Sequence, residues 1–157
     1  MSPIFFFISA VVPLGIYFFL PPLMGKVTGK GRVSRTPLAI ACLLFFISWY
    51  LPSPLIRGVD TSFTTHFVGG GLFTGFLYAY IKNCMRWKYG IFFDLLALYI
   101  LVNALGVANE LFEFAVVETG FASLDPSDTW WDLLTNNMGA FVFFIGYAAM
   151  FHDKKRS

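Results

Sequence analysis

Three stretches of the chain, Pro3 to Leu23, Pro37 to Leu51 and Phe63 to Ile81, carry no Asp, Glu, Lys or Arg. Each is near the length of a bilayer crossing, and a soluble domain of this size has no interior in which to hide them. The composition agrees: 57% of the 157 residues are hydrophobic and 13% are charged, against about 25% charged in an average soluble domain. The runs predict an integral membrane protein. They exclude a DNA-binding module with a nucleic-acid partner, a soluble Rossmann enzyme and a disordered tail. The length suits a single transmembrane domain, residues 1–157.

Hydropathy and helix breakers predict five transmembrane helices near 3–23, 37–51, 63–81, 89–118 and 129–151, hence an all-α bundle. The connection after the first span holds Lys26, Lys30, Arg32 and Arg35; that after the third holds Lys82, Arg86 and Lys88; the tail holds Lys154, Lys155 and Arg156. With five spans these segments share a side, which gathers every Lys and Arg except Arg57. The positive-inside rule makes that side cytoplasmic, with the C-terminus there and the N-terminus outside. Met1 to Ile4 has no basic n-region, so the first span reads as retained rather than as a cleaved signal peptide. Trp49, Trp130 and Trp131 fall at the outer interface and Trp87 at the inner one. Pro13 predicts a bend in the first span, and the Pro21-Pro22 pair predicts its stop. The second span is short, so it needs a thinned bilayer or an extension through Pro52 to Pro54. Cys42 lies in a span and Cys84 in a basic loop, a placement that indicates no disulfide framework.

The acidic residues are distributed the other way. Asp94 and Asp153 fall towards the cytoplasm, whereas Asp60, Glu110, Glu113, Glu118, Asp125, Asp128 and Asp132 fall on or near the outer face. Glu110 and Glu113 lie inside the fourth span, about 12 Å and about 8 Å below its outer end at helical rise. Ionisable groups at such depth are costly and usually face the bundle interior. At 100° per residue, Asn103, Gly106, Asn109, Glu110 and Glu113 form one stripe. Ser62, His66, Gly69, Gly70 and Phe73 form a second on the third span, and Asp128, Asp132, Thr135, Asn136, Gly139 and Gly146 a third on the fifth. Buried against one another, the stripes make a polar pocket opening outwards.

Plainer readings stand beside this one. Gly69 to Gly71 and Gly75 suit close helix packing better than a phosphate cradle, because no strand precedes them and no Lys-Ser/Thr follows. Asp128 can cap the fifth helix, and His66 alone can be a helix-end histidine bonded to a carbonyl. Glu118, Asp125 and Asp153 read as solvated loop charges. The Glu110 and Glu113 pair resists such a reading, since two carboxylates in apolar surroundings must share a proton, bind a cation or meet a basic partner.

The segments Asp60 to Phe67, Asn109 to Phe114 and Asp128 to Ala140 together resemble the VanZ-like superfamily of small bacterial membrane proteins, most closely its YjdF-like branch. The family pattern is Asp then His at the start of one span, Glu-x-x-Glu late in the next, and Asp-x-x-x-Asp leading to Gly-Ala. Asp60, His66, Glu110, Glu113, Asp128, Asp132, Gly139 and Ala140 match it. The likeness spans residues 60–146; the first two spans match only in hydrophobicity, and Phe121 to Ser127 stands where the family has a Gly-rich stretch. It implies a multi-span protein of the bacterial inner membrane, in one branch associated with glycopeptide resistance, and it supplies no reaction.

Three functions follow as expectations. The first is a cell-envelope binding protein whose pocket of Asp60, His66, Glu110, Glu113, Asp128, Asp132 and Asn136 takes a cation or the headgroup of a membrane lipid or envelope precursor. His66, Glu110, Glu113 and Asp132 are its metal-ligand set, and oxygen ligands with one His suit Mg, Mn or Zn. The second is a metal-dependent intramembrane hydrolase, which lacks support from any His-Glu-x-x-His or Gly-x-Ser-x-Gly motif. The third is a non-catalytic subunit of a larger membrane assembly. Orientation is tested by placing a cysteine at Ser157 (Ser157→Cys) in a chain lacking Cys42 and Cys84. It should resist an impermeant thiol reagent in intact cells, whereas Ser53→Cys should label; equal labelling of the two refutes the assignment.

Overall fold

The computed structural model describes residues 3–29, 33–56, 59–120 and 129–153. Its elements are α1 (Pro3–Thr28), α2 (Thr36–Ser48), β1 (Leu55–Ile56), β2 (Val59–Asp60), a π-helical segment (Thr65–Leu72) running directly into α3 (Phe73–Met85), α4 (Ile91–Glu118) and α5 (Thr129–Asp153). Three helical stretches, Phe6–Thr28, Ile91–Glu118 and Thr129–Met150, are long and apolar enough to cross a membrane. Among the described residues the fold is helical apart from one two-residue antiparallel ladder, Leu55 with Asp60 and Ile56 with Val59, which hydropathy did not predict.

The predicted stop at Pro21-Pro22 is not observed. Proline removes a donor and crowds the preceding turn, but the remaining bonds carry α1 on to Thr28. There Gly29, at φ 61°, donates its N–H to the Gly25 carbonyl at 3.0 Å in the left-handed cap that glycine tolerates best. α2 is shorter than its predicted span. Its 13 residues reach about 20 Å at helical rise, and the extension through Pro52 to Pro54 does not form. Instead the Pro52 carbonyl accepts from Thr64 Oγ1 at 2.9 Å, and Ser53 Oγ accepts from the Thr64 N–H at 3.1 Å. The chain after α2 thereby folds back to brace the start of the next helix.

The π segment displaces the face predicted from a regular helix. The Phe73 N–H reaches the Val68 carbonyl five residues back, so the turn is wider than 100° per residue assumes. Gly69 consequently packs on Ser48 of α2, while Gly70 and Gly71 turn to α5. A Cβ on Gly71 would stand 2.6 Å from Gly139 Cα and 2.7 Å from the Ala140 nitrogen, and one on Gly75 would stand 2.7 Å from Phe143 Cβ. The two backbones touch without intervening side chains. Gly146, expected on the same stripe of α5, is exposed with nothing near it.

Two apolar clusters frame this crossing. Leu38, Ala41, Phe73, Leu77, Tyr80 and Cys84 pack between α2 and α3, and Tyr78, Leu98, Val102 and Ala140 pack where α3, α4 and α5 meet. The outward surface stays apolar, with Phe6, Phe7, Phe18, Phe19, Phe92, Phe93 and Trp130 exposed, a patch far beyond what water-facing monomers carry.

Lys82 and Cys84, expected in a loop, belong to α3 and are buried, and the helix ends only at Arg86 in left-handed conformation. Lys82 Nζ donates to Asp94 Oδ2 at 2.6 Å and to Tyr147 Oη at 2.7 Å, while Tyr78 Oη donates to Asp94 Oδ1 at 2.6 Å. The hydropathy boundary at residue 81 missed this because a lysine whose charge is matched by a buried carboxylate remains inside the helix pack.

Gly71→Ala should destabilise the bundle by about 1 to 3 kcal/mol, because the added methyl meets backbone that cannot swing aside. Gly15→Ala, with nothing within 4 Å, should be neutral or stabilising in a detergent melting assay. Lys82→Met should cost about 3 to 5 kcal/mol by stranding the Asp94 charge. Adding Asp94→Asn should recover part of that loss, which the same assay reads.

Candidate functional site

His66 comes from the π segment, Glu110 and Glu113 from α4, and Asp132 and Asn136 from α5. On α4, three-residue spacing puts both glutamates over one side of the helix. On α5, Asp132 and Asn136 are one turn apart and both 4% exposed. The helices come into register through small residues and amides. Gly106 leaves room for Leu133 and Asn136, since a Cβ there would stand 2.9 Å from Leu133 Cδ2 and 3.4 Å from Asn136 Nδ2. One turn from Gly106, Asn103 exchanges reciprocal amide bonds of 3.1 Å each with Asn137. Each of the two also donates to a carbonyl of its own helix.

The structure brings three of the four predicted metal ligands, Glu110, Glu113 and Asp132, into one cluster, with His66 outside it and against Asp132. One oxygen each from Glu110, Glu113 and Asp132 lie within 4.8 Å of one another, and His66 Nε2 lies 3.2 Å from Asp132 Oδ1. Oxygens bound to a hard cation at about 2.0–2.6 Å stand up to roughly 5 Å apart across it, so this spacing has room for one ion. Asp132 was expected near water at the start of its helix; it is instead buried, because the close crossing of α5 lays the π segment over it.

The cluster is rich in acceptors. Glu113 Oε1 accepts from Asn109 Nδ2 at 2.6 Å, but Glu110 Oε1 is buried with no hydrogen-bond partner. Asn136 lies beside the His66 imidazole, yet its Oδ1 accepts no bond of good geometry. A buried acceptor left without a donor costs about 1 to 3 kcal/mol, so these oxygens are suited to a donor or cation entering from outside the chain.

Such a species has a route. A cavity of about 420 Å³ lies against the cluster, within the range of about 300–1,000 Å³ typical of small-molecule sites. Its polar lining includes Ser48, Thr65, His66, Thr74, Asn109, Glu113 and Asn136, and its apolar lining includes Ile8, Val12, Ile16, Phe45, Phe73, Val102, Leu105 and Phe112. Of the other predicted site residues, Asp60 stands in the β ladder opposite Leu55, its side chain outside the described part, and Asp128 lies outside the described residues.

Sequence reasoning missed Asn109 as a partner of Glu113, and it missed the Lys82 network. A signal for the latter was present. His66, Gly70, Thr74, Tyr78 and Lys82 recur every fourth residue, a polar or small face running the length of the third helix. No family model matches the chain, and no curated protein or solved structure is similar to it.

Proposed function

We propose that this chain is a multi-span membrane protein of the bacterial cell envelope, and that Glu110, Glu113, Asp132 and His66 form a cation-binding pocket. The cation is a divalent metal or the charged headgroup of a lipid or envelope precursor. In this reading the chain crosses the inner membrane five times with its N-terminus outside, and the pocket lies in the outer half of the bilayer. The exposed phenylalanines support membrane residence, the distribution of Lys and Arg supports the orientation, and the order of the acidic motifs supports membership of the VanZ-like superfamily.

The observation that carries the binding reading is the convergence of three carboxylates from two helices on a point beside an open cavity. In a low-dielectric setting three such charges repel one another unless a proton or a cation intervenes. The helices are joined independently of these carboxylates, α4 to α5 through Asn103 and Asn137 and α5 to the π segment through the glycines.

Calorimetric titration of the purified protein with Mn²⁺ tests this. Wild type should bind one equivalent, and Glu110→Gln, Glu113→Gln and His66→Ala should each abolish binding, the two glutamine variants while melting like wild type. Folded variants that bind Mn²⁺ as wild type does would reduce the carboxylates to interhelical glue.

A further inference from the structure

Resting on that reading, the cavity says more about what carries the cation. Along α4 the lining runs from Val102 and Leu105 to Asn109 and Glu113, and along the third helix from Phe73 and Thr74 to Thr65 and His66. On α4 the charged Glu113 therefore stands at one end of the lining and the apolar Val102 at the other, about 16 Å apart at helical rise, and on the third helix His66 stands at one end with Phe73 seven residues on. The apolar part lies between α1, which packs on α2 and α3, and α4, which packs on α5, α3 and the π segment. Ile8, Val12 and Ile16 form one wall and Val102 and Leu105 the other. A bare metal ion uses none of this apolar surface.

Charge selects the head. Among the described residues the lining contains Glu113 and His66 and no Lys or Arg, with Glu110 and Asp132 adjoining, so an ammonium meets three carboxylates, whereas an anionic head meets the same three with one imidazole to set against them. The buried oxygens of Glu110 and Asn136 that lack donors then choose among ammoniums. A primary amine brings three N–H donors to them; a quaternary amine could lie against the aromatic lining of Phe45, Trp49, Phe73 and Phe112 but brings no donor and leaves both oxygens unpaired. Three oxygens hydrogen-bonded to one ammonium at about 2.8 Å stand roughly 4.6 Å apart, compatible with the 4.8 Å limit of the cluster.

We infer that the pocket holds a membrane lipid with a primary-amine headgroup. Its ammonium sits among Glu110, Glu113 and Asp132, and its hydrocarbon chain lies in the groove between α1 and α4.

Native mass spectrometry of the detergent-solubilised chain, offered equal dioleoyl-phosphatidylethanolamine, -phosphatidylcholine and -phosphatidylglycerol, tests this. The ethanolamine lipid should be retained at least about tenfold more than either competitor, equivalent to about 1.4 kcal/mol. Glu113→Gln should erase the preference by removing the charge. Leu105→Trp and Val12→Trp, which fill the groove from opposite walls, should each lower retention of all three lipids. Equal retention of the ethanolamine and choline lipids by wild type, or undiminished retention by both tryptophan variants, overturns the inference. If Mn²⁺ still binds in a carboxylate-dependent way, that result leaves the cation reading standing; if Mn²⁺ does not, both readings fall together.

Discussion

Gly71 and Gly139 let the π segment and α5 meet backbone to backbone, and the positions of the other helices follow from that contact. A methyl group on Gly71 would collide with main-chain atoms of Gly139 and Ala140, and one on Gly139 would strike the Phe67 carbonyl. Main chain cannot rotate out of the way as a side chain can, so the separation and register of the two elements are fixed together. In apolar surroundings, where helices gain little from hiding hydrocarbon, this kind of close packing is the main source of specific association.

Polar networks occupy both sides of this crossing. Towards residue 82 of α3, Asp94 takes bonds from Lys82 and Tyr78 and so ties α4 to α3, while Tyr147 brings in α5. That network is internally matched: one cation, one carboxylate and two hydroxyls satisfy one another. Around residue 66 the balance is reversed. Three carboxylates and an amide oxygen face one imidazole and the Asn109 amide, and Glu110 Oε1 and Asn136 Oδ1 are left without a donor. The first arrangement closes a structure and the second leaves acceptors over, a contrast that separates the candidate site from a merely structural cluster.

The short α2 and the wide π turn make the space beside those acceptors. Because α2 ends at Ser48 and the chain folds back through Pro52 and Ser53, among the described residues no helix fills the volume between α1 and α4 at that level. The π turn lets Gly69 lean on Ser48 while Gly70 leaves room for the Asn136 side chain. Wide turns of this type are uncommon and recur at functional sites, since they re-aim side chains without breaking the helix. Here the side chain that is re-aimed is His66, onto Asp132.

Apolar run length and breaker placement were enough to place five helices, because burying uncharged stretches of that length leaves few alternatives. Helical spacing was enough to join Glu110 to Glu113 and Asp132 to Asn136, for these relations are local and periodic. Everything that depended on a neighbouring element was decided by packing. Continuation of α1 past Pro22 rested on bonds that flanking residues keep, and burial of Lys82 rested on Asp94, twelve residues on and in another helix. The face of the glycine run was set by a π turn that no 100° wheel contains. The union of His66 with Asp132 required α5 to touch the π segment. Local sequence sets which side chains share a helix face; which faces meet is set by where two backbones have no Cβ between them.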